Sequence, residues 1–416
     1  MLGLAGASAL AAAGCGNSGP GSSTLDAFVY QDASTTVQDK AVKAFNAGRK
    51  TKVKLDKVAG TTYGNKLRAV MGTPNAPDIF FNWGGGSIKP YVDAGRLLDL
   101  TSTLTGDSGF KDGFIQSVLD AGKLNDKYYG IPMRGMQPVI LFYNTTLFAK
   151  HDWQPPQTWD ALLGLAADVK KAGITPFALG GSDAWTEQMW LEYLVDRFAG
   201  PAVFQRIENG DSAGWKDSAI LGAAQAARHL VDIGAFGDNY GSVGYVNNAA
   251  STLFAKGRAA MHLMGSWEFA NQLAAAPDFA KNDLGYTRFP SVSGGKGDIR
   301  NVVGNPTNYW SVSSRVSDKS TAIAFLKYMA TEQYAKWLVA NGDVPTSTVA
   351  EGLLDSAPNP AYAKWQYQLV RQAPAFTLSW DQALVSSIAT PMTSNIQKLF
   401  NKQLSPEQFV STMAST

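Results

Sequence analysis

Tryptophan stands beside a polar residue at four separate places in this chain of 416 residues. The pairs are Asn82-Trp83, Asp183 with Trp185, Trp267-Glu268 and Trp380-Asp381. A sugar ring has an apolar C–H face and a rim of hydroxyl groups, so a flat indole face beside amide or carboxylate groups complements it. A tryptophan can equally lie in a core with its N–H satisfied, and for any single one of these residues that alternative stays open. As a set, the four pairs favour a carbohydrate-binding site.

The overall composition excludes several other classes of protein. Lys and Arg number 36 against 34 Asp and Glu, and they form no basic cluster of the kind that binds nucleic acid. A single cysteine permits neither an intrachain disulfide nor a cysteine-based metal site. The three histidines, His151, His229 and His262, lack the spacing of metal ligands. We therefore expect no nucleic-acid partner, no metal and no cofactor.

The single cysteine, Cys15, follows a short apolar stretch and the small residues Ala12-Ala13-Gly14. This order is typical of a bacterial lipoprotein signal, which is cut before the cysteine whose sulfur then carries the lipid. The apolar run is shorter than the roughly 20 residues that span a bilayer. No Lys or Arg precedes Lys40, although secretory signals begin with basic residues. An alanine-rich N-terminus with an incidental cysteine is the alternative interpretation.

We expect residues 1–24 to be a lipoprotein signal followed by a flexible linker, because Gly/Ser/Pro-rich segments such as 16–24 suit a spacer. The protein would then be held at the extracellular face of the cell membrane, through the lipid anchor on Cys15 alone.

Strand-like and helix-like segments alternate along the rest of the chain, which predicts an α/β fold. Segment 26–30 predicts a first strand, and segment 36–47 predicts a helix with apolar residues on one face. Thr158 predicts the N-cap of a later helix that Gly173 ends. About 390 folded residues exceed one ordinary core, so we expect two lobes. Ligands bind at the carboxyl ends of parallel strands, where the segments around Tyr30-Gln31 and Asn82-Trp83 are predicted to lie.

Four sequence blocks occur in an order that is similar to a known family. The blocks are Ala76-Pro77-Asp78-Ile79; Gly130-Ile131-Pro132 with Leu141-Phe142-Tyr143-Asn144; Phe254–Met261 with Gly265-Ser266-Trp267; and Ala324–Met329 with Gly342-Asp343-Val344-Pro345. Together they resemble the extracellular solute-binding proteins of carbohydrate ABC importers, the group that contains maltose-binding protein. The resemblance covers essentially the whole chain after the linker, and it includes the lipid-anchored form of such receptors.

The resemblance implies a two-lobed periplasmic-binding-protein-like fold of type II, with a hinge between the lobes. The N-lobe would be 25–133 plus 290–335, and the C-lobe would be 134–289 plus 336–416. Tyr286–Pro290 is expected to be one hinge crossing, and closure over the ligand would follow from contacts that only the closed state makes. The implied partner is a membrane permease, and we expect the receptor to be a monomer.

The resemblance also implies a set of ligand-binding residues that contains the four aromatic–polar pairs. Matched position by position, the set is Gln31, Asp32, Asn82, Trp83, Arg134, Gln137, Asp183, Trp185, Trp267, Glu268, Asn305, Tyr309, Trp380 and Asp381.

The expected ligand is a neutral di- or oligosaccharide, because few basic residues accompany the candidate site. Xylobiose or a related xylo-oligosaccharide is our specific expectation, since the segment Ser379–Leu384 is similar to actinobacterial receptors for β-linked disaccharides. Cellobiose, chitobiose, α-glucosides and, more distantly, a polyamine remain open. A secreted glycoside hydrolase would need two carboxylates about 5–5.5 or 6.5–9.5 Å apart. No pattern in the sequence marks such a pair, so we expect a protein that is not an enzyme.

Overall fold

The computed structural model describes residues 24–416. The predicted lipidation residue Cys15, and the predicted signal and linker up to residue 23, lie outside the described residues. In the described part, thirteen strands and twenty α-helices alternate along the chain.

The strands are numbered in chain order. They are β1 Thr24–Gln31, β2 Lys52–Ala59, β3 Ile79–Asn82, β4 Lys123–Leu124, β5 Lys127–Tyr128, β6 Ile131–Pro132, β7 Gln137–Asn144, β8 Thr175–Ala178, β9 Ala259–Gly265, β10 Leu284–Thr287, β11 Val302–Asn305, β12 Tyr309–Val312 and β13 Phe376–Leu378.

The helices are numbered in the same way. They are α1 Thr35–Asn46, α2 Gly60–Val70, α3 Lys89–Asp93, α4 Thr101–Thr105, α5 Ser108–Asp112, α6 Gln116–Asp120, α7 Thr145–His151, α8 Trp159–Lys171, α9 Trp185–Ala199, α10 Ala202–Glu208, α11 Ser218–Asp232, α12 Ala249–Ala255, α13 Trp267–Ala275, α14 Pro277–Asn282, α15 Lys319–Tyr328, α16 Glu332–Asn341, α17 Pro360–Arg371, α18 Trp380–Ala383, α19 Ser386–Phe400 and α20 Pro406–Ala414.

Local sequence signals account for the boundaries of several elements. Helix α1 buries Val37, Ala41 and Phe45, which recur every four residues and form the predicted apolar face. Helix α8 begins after Thr158, whose side chain accepts a hydrogen bond from the backbone N–H of Ala161 at 3.2 Å. This satisfies one of the free N–H groups at the start of the helix, and the predicted N-cap is confirmed.

The first lobe is built around a five-stranded sheet in the order β2-β1-β3-β12-β6. Strands β1, β2 and β3 are parallel, and β12 runs antiparallel to β3 and β6. Because β1, β2 and β3 run the same way, their carboxyl ends meet at one edge of the sheet. One hydrophobic core packs against this sheet, and it includes Phe80, Trp310 and Phe325.

The second lobe is built around a six-stranded sheet in the order β13-β11-β7-β9-β8, with β10 also paired to β7. Its central strand, β7, is apolar nearly throughout, and all but one of its residues are buried. The hydrophobic core of this lobe also takes in the C-terminal helices, through residues such as Tyr362, Ile396 and Phe409. The second lobe therefore contains both the middle and the end of the chain.

Two of the predicted lobe assignments differ from the structure. Tyr286–Pro290 is not a crossing, because Tyr286 pairs with Phe142 of β7 and Phe289 lies in the core of the second lobe. Likewise, segment 290–335 does not lie wholly in the first lobe, since β11 pairs with β7 and β13 of the second sheet. The lobe boundaries away from these segments stay a prediction.

Three short segments connect the lobes, and they lie against one another. The first is 133–136, between β6 and β7, and the second is 306–308, between β11 and β12. The third follows α16, where Val344 accepts a hydrogen bond from the backbone N–H of Met136 at 2.8 Å. A methyl group at Gly135 would lie 2.7 Å from the carbonyl oxygen of Val344, so the close approach of these segments requires glycine. The hinge therefore consists of three crossing segments whose backbones are in close contact.

Within residues 24–416, we find no helix that combines the length and the apolar character needed to cross a membrane.

Helix α9 carries an acidic residue into the core of the second lobe. Glu187 is fully buried, and neither of its carboxylate oxygens has a hydrogen-bond partner in residues 24–416. Burial of the charged form raises the pKa of Glu187 from 4.5 to about 9. The folded protein therefore keeps this carboxyl group protonated at neutral pH.

This burial predicts a stability that falls as the pH rises. Between about pH 4.5 and about pH 9 the unfolded chain ionises Glu187 while the folded protein holds its proton. The folding free energy should therefore weaken by up to about 1.4 kcal/mol per pH unit across this window. We expect Glu187→Gln to remove that loss, so its thermal unfolding midpoint should exceed that of the wild type increasingly from about pH 5 to about pH 8. The exposed Glu332→Gln is the control, and a difference that stays constant with pH would contradict the assignment.

Candidate functional site

A cleft of about 840 Å³ lies between the two lobes. The first lobe, the second lobe and the crossing segments all contribute to its walls. Its lining is Tyr30, Gln31, Asp32, Ala33, Ser34, Gly60, Phe81, Trp83, Arg134, Gln137, Asp183, Trp185, Met189, Tyr245, Val246, Asn248, Trp267, Asn271, Ala274, Ala275, Asn305, Asn308, Ser379, Asp381 and Gln382.

The wall from the first lobe is aromatic and lies at the carboxyl edge of the parallel strands. Tyr30 and Gln31 end β1, and Trp83 follows the end of β3. The ring of Trp83 meets Phe81 edge-on at 4.9 Å, and it meets Tyr30 and Tyr63 in the same way at 5.7 and 5.8 Å. These three contacts fix the plane of the half-buried indole, which lines the cleft.

Tyr30 is held over the start of α2. A methyl group at Gly60 would overlap the phenol ring of Tyr30, so this position must be glycine for the ring to lie there. Burial, followed by the charge of Asp32, raises the pKa of Tyr30 to about 12. Its hydroxyl group therefore stays protonated and can both donate and accept a hydrogen bond at the cleft.

The wall from the second lobe presents two further indoles. Trp185 begins α9 after β8, and Trp267 begins α13 directly after β9. Their ring centroids are 6.1 Å apart and their planes are inclined by 54°. Tyr245 meets Trp185 edge-on at 5.2 Å. This wall therefore offers two aromatic surfaces at an angle, opposite the single indole of the first lobe.

Trp267 is positioned by a glycine at the end of β9. A methyl group at Gly265 would overlap the six-membered ring of the Trp267 indole, which folds back over the strand end. Because Gly265 has no side chain, the Trp267 indole can occupy the space over the end of the strand. Any larger residue at position 265 would displace it.

Arg134 contributes the cation of the cleft and lies on the first crossing segment. Its guanidinium group is only 2% exposed, forms an ion pair with Asp32, and donates a hydrogen bond to the backbone carbonyl of Tyr30 at 3.0 Å. It also lies over the ring of Phe81 at 5.0 Å. The charge of Arg134 is therefore neutralised within the protein, and the net charge available to a ligand is small.

Asparagine and glutamine side chains line the hinge end of the cleft. Gln137 and Asn305 face each other in the register of β7 and β11, and Asn308 follows in the second crossing segment. The side-chain oxygens of Asn305 and Asn308 have no partner in residues 24–416. Neutral amides of this kind bind hydroxyl groups without selecting for charge.

Glu268 supports the cleft instead of lining it, which corrects its predicted role as a ligand contact. It is fully buried and accepts hydrogen bonds from Tyr245 at 2.9 Å, Ser251 at 2.9 Å and Gln272 at 2.7 Å. The Tyr245 hydroxyl accepts in turn from Asn271 at 2.7 Å. Glu268 thereby orients Tyr245 and, through it, the edge contact to Trp185.

The carboxylates that do reach the cleft are already hydrogen-bonded. Asp183 accepts from the backbone N–H groups of Tyr245 at 2.6 Å and Val246 at 3.2 Å. Asp381 accepts from Gln188 at 3.0 Å and from Gln382 at 2.7 Å. Burial raises the pKa of Asp381 from its usual value. Both groups are therefore fixed in place as hydrogen-bond acceptors.

Three more of the predicted contact residues lie outside this cleft lining, because their polar atoms serve the protein. Asn82 donates to Ser311 at 2.8 Å and accepts from the backbone of Gly84 at 2.9 Å. Tyr309 is fully buried and donates to the carbonyl of Val118 at 2.8 Å. Trp380 is buried and stacks on Phe204 at 4.9 Å.

The structure brings the other ten predicted residues together around the cleft. They are Gln31, Asp32, Trp83, Arg134, Gln137, Asp183, Trp185, Trp267, Asn305 and Asp381. Several lining residues were absent from the predicted set, namely Ser34, Met189, Tyr245, Asn271, Asn308, Ser379 and Gln382. Tyr30 was predicted to lie at the ligand-binding end of β1 but was not named as a contact. Signals existed for some of them. Asn271 lies four residues after Trp267 on one helix face, and Ser379 and Gln382 flank the predicted Trp380-Asp381 pair.

The described residues contain no group of three or more His, Cys, Asp or Glu side chains that could hold a metal ion. What the cleft offers is flat aromatic faces on two opposed walls and neutral or already paired polar groups between them. Such an arrangement can enclose a ring-shaped ligand that bears hydroxyl groups.

Comparison with known proteins places the chain among binding proteins. A family model described as bacterial extracellular solute-binding protein matches residues 30–336. The multiple sugar-binding protein of Streptococcus mutans is 25% identical over 374 residues, which cover 86% of this chain and 84% of that protein. The match spans 44% and 55% of two ABC transporter extracellular-binding proteins from Pyrococcus horikoshii, so it covers only about half of those relatives.

Two solved structures are similar over nearly the whole chain. One comes from work on xylan utilization by the thermophilic bacterium Caldanaerobius polysaccharolyticus, with a TM-score of 0.87, 27% identity and coverage of 94% of this chain and 99% of that one. The other is a chitin oligosaccharide binding protein, with a TM-score of 0.85, 29% identity and coverage of 95% and 98%. The predicted α/β fold with two lobes, of the type II periplasmic-binding-protein kind, is confirmed.

The overlap at Gly265 generates a prediction about the site itself. We expect Gly265→Ala to displace the Trp267 indole, because the added methyl group cannot share its space. Tryptophan fluorescence and near-UV circular dichroism of the unliganded protein should change, while the far-UV spectrum stays as in the wild type. Gly164→Ala in α8 is the control, since a methyl group there meets nothing within 4 Å. Unchanged spectra for Gly265→Ala would show that Trp267 is not positioned by this glycine.

Proposed function

This chain belongs to the family of bacterial extracellular solute-binding proteins, and we propose that it is the sugar receptor of an ABC importer. In this proposal the protein captures a neutral oligosaccharide outside the cell and delivers it to the permease subunits of the transporter. It binds its ligand without transforming it, so it is not an enzyme. The observation that carries the proposal is the cleft in which Trp83 of the first lobe faces Trp185 and Trp267 of the second.

Aromatic faces on both walls suit a sugar of at least two rings. Each ring can stack its C–H face on an indole while its hydroxyl groups reach the amides and carboxylates between the walls. The volume of about 840 Å³ lies within the range of ordinary small-molecule sites. Because the aromatic residues belong to different lobes, binding would favour the closed arrangement over an open one.

The charges of the cleft favour a neutral ligand. Arg134 is the only Lys or Arg among the described lining residues, and Asp32 neutralises it. Asp183 and Asp381 already accept hydrogen bonds from the protein. An anionic sugar would lack a free cation here. A polyamine, the alternative from outside the sugars, would lack the several free carboxylates that its amino groups require.

Xylobiose or a related xylo-oligosaccharide is the specific ligand that we propose. It is supported by the similarity to the structure from the study of xylan utilization and by the likeness of the segment Ser379–Leu384 to receptors for β-linked disaccharides. The similarity to the chitin oligosaccharide binding protein makes chitobiose the nearest competitor. Cellobiose and α-glucosides are further alternatives. Glycoside hydrolysis is the enzymatic alternative, and release of reducing sugar from xylan by the purified protein would establish it.

The anchor is the second part of the proposal. Cys15 would carry the lipid, and residues 16–23 would form the spacer between the membrane and the two lobes, since the predicted spacer residue Thr24 begins strand β1. A receptor tethered in this way stays near its permease although the described residues contain no membrane-spanning helix.

Binding should depend on the indole of Trp267. We expect xylobiose to quench the tryptophan fluorescence of the wild-type protein, and Trp267→Ala to weaken binding by about 1–3 kcal/mol, measured by isothermal titration calorimetry. Trp337→Ala in α16 is the matched control, because that indole packs near Tyr328 in the first lobe and lies away from the cleft.

A panel of di- and trisaccharides in a thermal-shift assay would identify the sugar. A ligand at 100 times its dissociation constant adds about 2.7 kcal/mol to stability. No shift with any neutral sugar, or full affinity in Trp267→Ala, would contradict the proposed site.

The lipid anchor has a test of its own. We expect Cys15→Ala to release the receptor from the cells into the medium, because the substituted chain cannot accept the lipid. Immunoblots of membrane and culture fractions would measure this, with Cys15→Ala and wild-type proteins expressed from the native signal. If Cys15→Ala stayed in the membrane fraction, the proposed lipid anchor would be contradicted. The proposed sugar site would not be affected by that result.

A further inference from the structure

A second cavity, of about 370 Å³, also lies between the lobes. Residues of α2, α3 and α19 line it, together with Trp83, Asp381 and Gln382. Three of these residues, Trp83, Asp381 and Gln382, line the main cleft as well. The two cavities therefore adjoin at these three residues, which the ligand of the main cleft would touch.

The wall from the second lobe is one face of helix α19. Ser386, Ala389, Thr390 and Thr393 are spaced by three and four residues, so they form a single stripe along the helix. Three of the four carry hydroxyl groups. Ser386 and Thr390 are exposed, whereas Thr393 is half-buried and its hydroxyl group already donates to the carbonyl groups of Ala389 and Thr390. The stripe therefore offers donors and acceptors at Ser386 and Thr390 and an acceptor oxygen at Thr393.

The wall from the first lobe has the opposite character. Leu67 of α2 and Pro90 and Tyr91 of α3 supply apolar and aromatic surface, and Trp83 continues it toward the main cleft. The apolar wall can pack against a C–H face of a sugar ring, and the hydroxyl groups of the other wall can bind the hydroxyl groups at the rim of the ring. Arg68 at the rim is exposed and donates to Asn65, so no buried charge faces the cavity from this side.

Beside this cavity, the backbone of the first lobe lies directly against the backbone of the second lobe. A methyl group at Gly85 would lie 2.6 Å from the Leu378 side chain and 2.8 Å from the carbonyl oxygen of Gln382. At Gly86 it would overlap the backbone of Ala383 and Leu384. The glycines after Trp83 thus allow direct contact between the lobes beside the three residues that line both cavities.

We propose that the second cavity is a further subsite, which receives the next ring of a neutral oligosaccharide whose first rings occupy the main cleft. The inference rests on the proposed function and extends it, since the receptor would then bind three or more linked rings more tightly than two. Trp83 and Gln382 would contact the linkage between the two cavities. The hydroxyl stripe of α19 would bind the added ring from one side, and Tyr91 would pack on its other side.

The test compares ligands of increasing length. Xylobiose, xylotriose and xylotetraose are titrated into wild type and into Thr390→Trp, whose indole would fill the cavity from an exposed helix position. We expect the wild type to prefer the longer oligomers. Thr390→Trp should lower their affinity at least about tenfold while changing that of xylobiose by less than about twofold. Thr390→Val keeps the size of the side chain without its hydroxyl group and should give a smaller loss in the same direction.

Ser387→Trp is the matched control, because Ser387 is exposed on the same helix but lines neither cavity. Equal wild-type affinities for all three lengths would overturn the subsite. So would equal losses for short and long oligomers in Thr390→Trp, which would identify the cavity as a gap between closing lobes. Failure of every xylose oligomer to bind would instead count against the proposed ligand, and chitobiose and chitotriose then repeat the comparison.

Discussion

The buried guanidinium group of Arg134 is the interaction on which the geometry of the cleft depends. A buried cation without partners is costly, and here all its partners come from the first lobe: the carboxylate of Asp32, the carbonyl oxygen of Tyr30 and the ring of Phe81. The residue itself lies on a crossing segment that enters the second-lobe sheet three residues later, at Gln137. One side chain thus fixes the end of β1 relative to the hinge. Since Phe81 also holds the edge of the Trp83 indole, the aromatic wall of the first lobe inherits its position from the same contact.

Glycine residues fix the positions of two aromatic rings in the cleft, as Arg134 fixes the end of strand β1. Tyr30 occupies the space over Gly60, and Trp267 occupies the space over Gly265, so each wall of the cleft carries a ring seated on bare backbone. The glycines after Trp83 let the two lobes touch at Gln382–Leu384. Close packing leaves few alternatives for a ring in such a place. The aromatic surfaces are therefore preorganised before a ligand arrives, which reduces the ordering cost of binding.

Several acidic residues of the second lobe orient neighbouring side chains and backbone through hydrogen bonds. Glu268 is fully buried and orients Tyr245, while Asp183 holds the backbone beside it. Glu192 accepts from the backbone N–H of Trp380 at 2.7 Å, and burial raises its pKa to about 8. Gln188 links Glu192 to Asp381 at the cleft. From the sequence, Asp183, Glu268 and Asp381 were predicted to contact the ligand, and Glu192 was not singled out. Their supporting roles depend on partners distant in the chain, which no local pattern contains.

The sequence by itself determined the α/β order of the elements, the family resemblance and the regions from which the site is built. It could not say which member of an aromatic–polar pair faces the cleft. Adjacent residues on a strand or helix point in different directions, so the three adjacent pairs are split. Trp83, Trp267 and Asp381 line the cleft, while Asn82, Glu268 and Trp380 turn into the protein. Asp183 and Trp185, two residues apart in the loop before α9 and at its start, both reach the cleft. The crossing points were likewise decided by tertiary structure, because strand β11 pairs with β7 across more than 150 residues of chain, a contact whose register no local periodicity specifies.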